Sequence, residues 1–134
     1  MSEFKAKKSV ALSGVPAGNT SLSSVGRTGN DLHYRGYDIK DLAENCEYEE
    51  VAFLLIHEHL PNQNELTNYK KKLVSLRDIP NAVKSVLENI PNTAHPMDVL
   101  RTGVSALGTI EPEQNNPTEI ADRLLASQIG RAHV

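Results

Sequence analysis

Tryptophan is absent from the 134 residues, and two Phe and four Tyr bring the aromatic share to only 4%. So little ring surface implies a thin core for a chain of one-domain length, or a part of something larger. A single Cys excludes an internal disulfide framework and any multi-cysteine zinc site. It fits a reducing compartment, and a cytoplasmic location is expected. Basic residues are not in excess: 14 Lys+Arg stand against 17 Asp+Glu, for a net charge of −3. No global positive field is therefore available to hold nucleic acid. No apolar run approaches the roughly 18–20 residues of a membrane span. The Lys-rich start is not followed by the apolar stretch of a secretory signal. These absences leave a soluble globular chain with neither nucleic acid nor membrane as partner.

The glycines present are concentrated. Gly14, Gly18, Gly26, Gly29 and Gly36 fall in the stretch from Val10 to Tyr37, which has no helical period. Residues 1–9 are polar and basic and read as a mobile arm. Thr20–Val25 and Asp31–Tyr37 alternate, and Gly26–Asn30 between them is a Gly/Asn turn, so residues 10–37 are expected to form a small β-hairpin segment. From Asp38 the period becomes helical. Asp38 is placed to cap Ile39–Cys46, with Leu42 and Ala43 inward. Glu47–His59 follows, stopped by Pro61. Asn62 or Asn64 caps a helix with the stripe Leu66, Tyr69, Leu73 and Leu76. Pro80, Pro96 and Pro117 each open a further helix. A hairpin followed by about six short helices, without βαβ alternation, excludes Rossmann and TIM architectures.

Side chains that could carry chemistry are present but do not converge. His57, Glu58 and His59 point to different sides of a helix and read as a solvated helix end. Asp38, Asp41, Glu44, Glu47, Glu49 and Glu50 form an acidic segment with no sign of the shielding that separates a catalytic carboxylate pair. Lys70, Lys71 and Lys72 fan over about 200° of helix, so they cannot share one ligand. They read as a solubilising face, with one of them able to touch an anion. Cys46, flanked by Glu44 and Glu47, reads as an inert, half-buried thiol. His95 reads as a helix cap, with a place in a ligand pocket as the alternative. Gly14–Asn19 lacks the spacing of a phosphate loop. Ser13, Ser21, Ser23 and Ser24 sit in no nucleophile elbow. No catalytic set is visible.

Several segments nevertheless resemble the citrate synthase family, and its methylcitrate-forming branch in particular. They are Lys8–Thr20, Gly29–Ile39 with its Tyr34-Arg35-Gly36-Tyr37 core, Glu49–His57, Leu60-Pro61, His95–Gly108 and Asp122–Ser127. Val10–Thr20 favours the methylcitrate branch over the acetyl-CoA branch. The resemblance implies a mainly α, citrate-synthase-like helical fold, incomplete, with a small N-terminal β-hairpin. Residues 38–127 would be a helical part of the large domain. It implies a homodimer that condenses propionyl-CoA with oxaloacetate and water, giving 2-methylcitrate and CoA. No metal and no cofactor are implied, the CoA thioester being substrate. The family's catalytic two His and one Asp would lie beyond this chain's end, so no catalytic residue is assigned within it. Lys72 is the substrate-side candidate, as a cation in a family with anionic substrates, with Arg35 as the alternative. Residues 128–134 depart from the family pattern. Ile129–Val134 can be encoded by a short-read sequencing adapter, so this tail is expected to be non-native. A reading of another class is a self-contained, non-catalytic helical interaction module.

Overall fold

The computed structural model describes residues 18–26, 29–112 and 115–129. The basic arm, residues 10–17 and the last five residues of the expected tail lie outside them. Strands β1 (Ser23–Val25), β2 (Leu32–Tyr34) and β3 (Tyr37–Asp38) form an antiparallel sheet in chain order. Six helices follow: α1 (Ile39–Asn45), α2 (Tyr48–His57), α3 (Gln63–Leu76), α4 (Asn81–Glu88), α5 (Pro96–Ile110) and α6 (Pro117–Ile129).

The sheet has one strand more than expected. Asp31–Tyr37 does not run straight, because Arg35 and Gly36 take φ values of 49° and 91° and fold the chain back. Two successive residues at positive φ make the tight turn whose twist suits a hairpin. Tyr34 then pairs with Tyr37, and His33 with Asp38. Gly36 serves the turn at no side-chain cost, whereas Arg35 accepts a conformation uncommon for a residue with a Cβ.

Helix starts follow local chemistry closely. Asp38 accepts from the Lys40 amide at 2.8 Å. Glu47 and Glu50 cap α2 reciprocally, as do Asn62 and Glu65 for α3. His95 Nδ1 accepts from the Met97 amide at 3.2 Å, so His95 is a cap. Two details differ from expectation. Ala43 is exposed, and only Leu42 of α1 is buried. One side of a two-turn helix touches the protein, and Ala43 is about 100° away from Leu42. Helix α2 ends at Glu58, whose φ of 75° turns the chain before Pro61 is reached.

Two apolar clusters hold the helices. Ala52, Phe53, Tyr69, Leu73 and Ala126 join α2, α3 and α6. Ile79, Val83 and Leu107 join α4 to α5. Gly103 lets Leu87 approach α5: a Cβ there would meet Leu87 Cδ2 at 3.2 Å. Leu54 and Val83 are sealed from water, each contributing about 1.5–3 kcal/mol.

Candidate functional site

The polar centre of the molecule is the seam between α2, α3 and α6. Asp122 enters it from α6 and is wholly buried, though charged residues are seldom buried without partners. Its Oδ1 accepts from the Tyr69 hydroxyl at 2.9 Å, and its Oδ2 from Lys72 Nζ at 2.7 Å. Tyr69 and Lys72 are three apart on α3, so one face of that helix presents both donors. Burial, followed by the hydrogen bond to Asp122, pushes the Tyr69 phenol far above its usual range. It is a hydrogen-bond donor at all ordinary pH.

His57 completes the seam and is not a solvated helix end. Its ring stacks on Phe53 with centroids 4.3 Å apart and meets Tyr69 edge to face at 5.4 Å. Its Nε2 lies 3.4 Å from Asp122 Oδ2 without forming a hydrogen bond. The pattern of α2 alone leaves this end in water, whereas Asp122 of α6 and Tyr69 of α3 cover it. His59, by contrast, is exposed beside Glu65.

Arg123, next on α6, faces a different way. Its Nε and Nη2 bind the two Glu111 oxygens, each at 2.7 Å, in the paired geometry that suits guanidinium and carboxylate. Nη1 donates to the Leu76 carbonyl and, at 3.0 Å, to the Asp78 carbonyl. One side chain therefore ties the C-terminal ends of α3 and α5 to α6. The Arg123 hydrogen bond holds the Glu111 carboxyl below its usual range, against an opposing effect of partial burial.

Beside these pairs lies a cleft of about 690 Å³ between α3, α5 and α6. Leu76, Val104, Leu107 and Leu124 supply apolar walls, and Lys72 and Arg123 lie at its polar side. Lys72 therefore borders an open cavity, but its charge is already directed at Asp122. Arg35 is elsewhere. It donates to Ser21 Oγ at 2.7 Å and to the Leu55 carbonyl at 3.1 Å, and pairs with Glu58 at 3.2 Å. Its Nε is buried without a partner. The two candidate cations are not brought to one ligand: Arg35 fastens the sheet to the end of α2, and Lys72 fastens α3 to α6. Lys70 pairs with Glu47, while Lys71 is exposed. Cys46 is half-buried, and burial, then Glu50, raise its thiol pKa. Among the described residues no cluster of three or more His, Cys, Asp or Glu could hold a metal ion. No helix there is long and apolar enough to cross a membrane.

Asp122 and Arg123 lie in a family-like segment, but neither they nor Glu111 belong to a spaced motif that assigns them a role. A signal did exist. Asp122 is four residues before Ala126, so it sits on the helix face that Ala126 buries. A carboxylate there calls for a buried donor.

The small antiparallel sheet leading into a helical array is the fold of citrate synthases. A citrate synthase from Thermotoga maritima superposes with a TM-score of 0.73 at 29% identity, over 87% of this chain and 30% of that one. The family model described as "Citrate synthase, C-terminal domain" matches residues 11–132, and the chain belongs to the citrate synthase family. It is 52% identical to the 2-methylcitrate synthase of Shewanella oneidensis over 129 residues, which is 95% of this chain and 34% of that protein. It is 38% identical to the citrate synthase of Mycolicibacterium smegmatis over 111 residues, 83% of this chain and 29% of that one. The chain thus spans about a third of the length of the curated relatives it matches.

Proposed function

We propose that the chain is part of a 2-methylcitrate synthase, which condenses propionyl-CoA with oxaloacetate and water to give 2-methylcitrate and CoA. The observation that carries this reading is the 52% identity to the Shewanella oneidensis enzyme across 95% of the chain. In this reading the whole protein is a cytoplasmic homodimer that needs no metal or cofactor, with CoA entering as the substrate thioester. These 134 residues serve as scaffold, and the groups that handle the enol chemistry lie elsewhere in the subunit.

The geometry supports the scaffold role. A group that stabilises charge in a reaction must be aimed at substrate. Lys72 and Arg35 are aimed at Asp122 and Glu58, so a substrate anion would have to compete with those carboxylates. Both cations are accordingly assigned to holding the fold.

The test is release of CoA thiol by the full-length protein, with propionyl-CoA or acetyl-CoA and oxaloacetate. The expected kcat/KM is higher for propionyl-CoA by about tenfold or more, the scale of one methylene in a fitted pocket. A preference for acetyl-CoA would make the protein a citrate synthase. Thiol release by residues 1–134 alone would overturn the scaffold assignment.

A further inference from the structure

Lys70, Lys71 and Lys72 are neighbours in sequence with unequal surroundings. Lys70 holds Glu47, itself largely exposed, and Lys71 is exposed. Lys72 alone holds a carboxylate with no access to water, while its own side chain is 41% exposed. One end of this pair is thus open to reagents and the other is sealed in the α2–α3–α6 seam.

We infer that Lys72 is a modification site at which acyl transfer from an acyl-CoA thioester releases α6 from α3. The step needs no oxidant or cofactor. Nζ leaves Asp122, gives its proton to solvent and adds to the thioester carbonyl. A C–N amide bond forms, the C–S bond breaks, and CoA departs as thiolate and takes up a proton. The resulting amide is neutral. Asp122 then loses its one cationic hydrogen-bond donor and faces only neutral ones, the Tyr69 hydroxyl and the amide N–H of the acylated, bulkier side chain, while His57 Nε2 at 3.4 Å makes no hydrogen bond. Removing one partner of a buried pair is far more damaging than removing an exposed pair. Acylation of Lys70 or Lys71 therefore has little structural effect, and acylation of Lys72 is transmitted to α6. Nζ must leave Asp122 before it can react, so modification accumulates where thioester is abundant.

The acyl donor follows from the proposed function, but the site does not depend on which thioester the enzyme condenses. The full-length protein is incubated with propionyl-CoA, and in parallel with acetyl-CoA, and the acyl-lysines are located by peptide mass spectrometry. Separately, propionyl-lysine is installed at position 72 or at position 71 during synthesis. Amide hydrogen exchange is then followed in α6. The expected results are a detectable acyl group on Lys72 and exchange in α6 faster by roughly tenfold or more with the modification at 72, but unchanged with it at 71. In Asp122→Asn the modification at 72 is expected to have no further effect. No acyl group on Lys72 with either thioester, or equal exchange with the modification at 71 and at 72, overturns the inference. Acylation with both thioesters while the full-length enzyme prefers acetyl-CoA would leave this site intact and refute only the methylcitrate reading.

Discussion

Two side chains of α3 serve the buried Asp122 carboxylate, the Tyr69 hydroxyl and the Lys72 ammonium. The two ends of its bond to Lys72 are not equivalent. Truncating the lysine strands a buried anion, whereas neutralising the aspartate leaves a lysine that can turn to water. Lys72→Met is therefore expected to cost roughly 3 kcal/mol, the lower end for one partner removed from a buried pair, because Lys72 is partly exposed. Asp122→Asn keeps the shape and is expected to cost less. In the double variant the stranded charge is gone, so its loss should fall well below the sum of the two. Urea unfolding of the four proteins measures the cycle. Additive losses would show that the two side chains act independently. Tyr69→Phe removes one donor from the same carboxylate and should cost about 1–2 kcal/mol.

At the scale of elements, capping chemistry was largely readable in the sequence. Asp38, Asn62 and His95 are the caps that their positions suggest, and Pro96 and Pro117 begin α5 and α6. What could not be read was which faces meet across the chain. His57 looked solvated because its cover comes from α6, tens of residues later. The Arg35-Gly36 reversal carries a weak sequence signal, because Arg is an unusual first residue for that turn. The charge of Lys72 does not reveal its partner Asp122, 50 residues away. Arg123 shows the same limit, since its partners are the carbonyl of the last residue of α3, the Asp78 carbonyl beyond it and a carboxylate after α5. Its pairing with Glu111 has a pH signature. The folded Glu111 carboxyl is held below its ordinary value of 4.5, so its contribution is fully present above that pH. It is lost as pH falls through the depressed folded value. Glu111→Gln and Arg123→Gln should each flatten that acid-side loss relative to the parent, as read from unfolding midpoints between about pH 6 and 3. An unchanged slope in both variants would mean that the pairing contributes nothing.

For the whole molecule, the arrangement of the two apolar clusters decides how it opens. Phe53, Tyr69, Leu73 and Ala126 seal the α2–α3–α6 body together with the Asp122 seam, and Ile79, Val83 and Leu107 form a smaller core between α4 and α5. The cleft separates parts of these two bodies, and Arg123 spans it from α6 to Glu111 at the end of α5. A small core with few buried side chains opens at lower free energy than a larger one that also contains a buried ion pair. Amides of α4 and α5 are therefore expected to exchange with solvent before those of α2 and α3. Arg123→Ala removes the bridge without touching either core. It should accelerate exchange in α4 and α5 by roughly tenfold, equivalent to about 1.4 kcal/mol, and affect α2 less. Uniform acceleration through all six helices would instead show one cooperative unit, with Arg123 contributing to global stability alone. Under that outcome the cleft would be a surface depression of a single body. Under the expected one it is the boundary at which the α4–α5 pair parts from the rest.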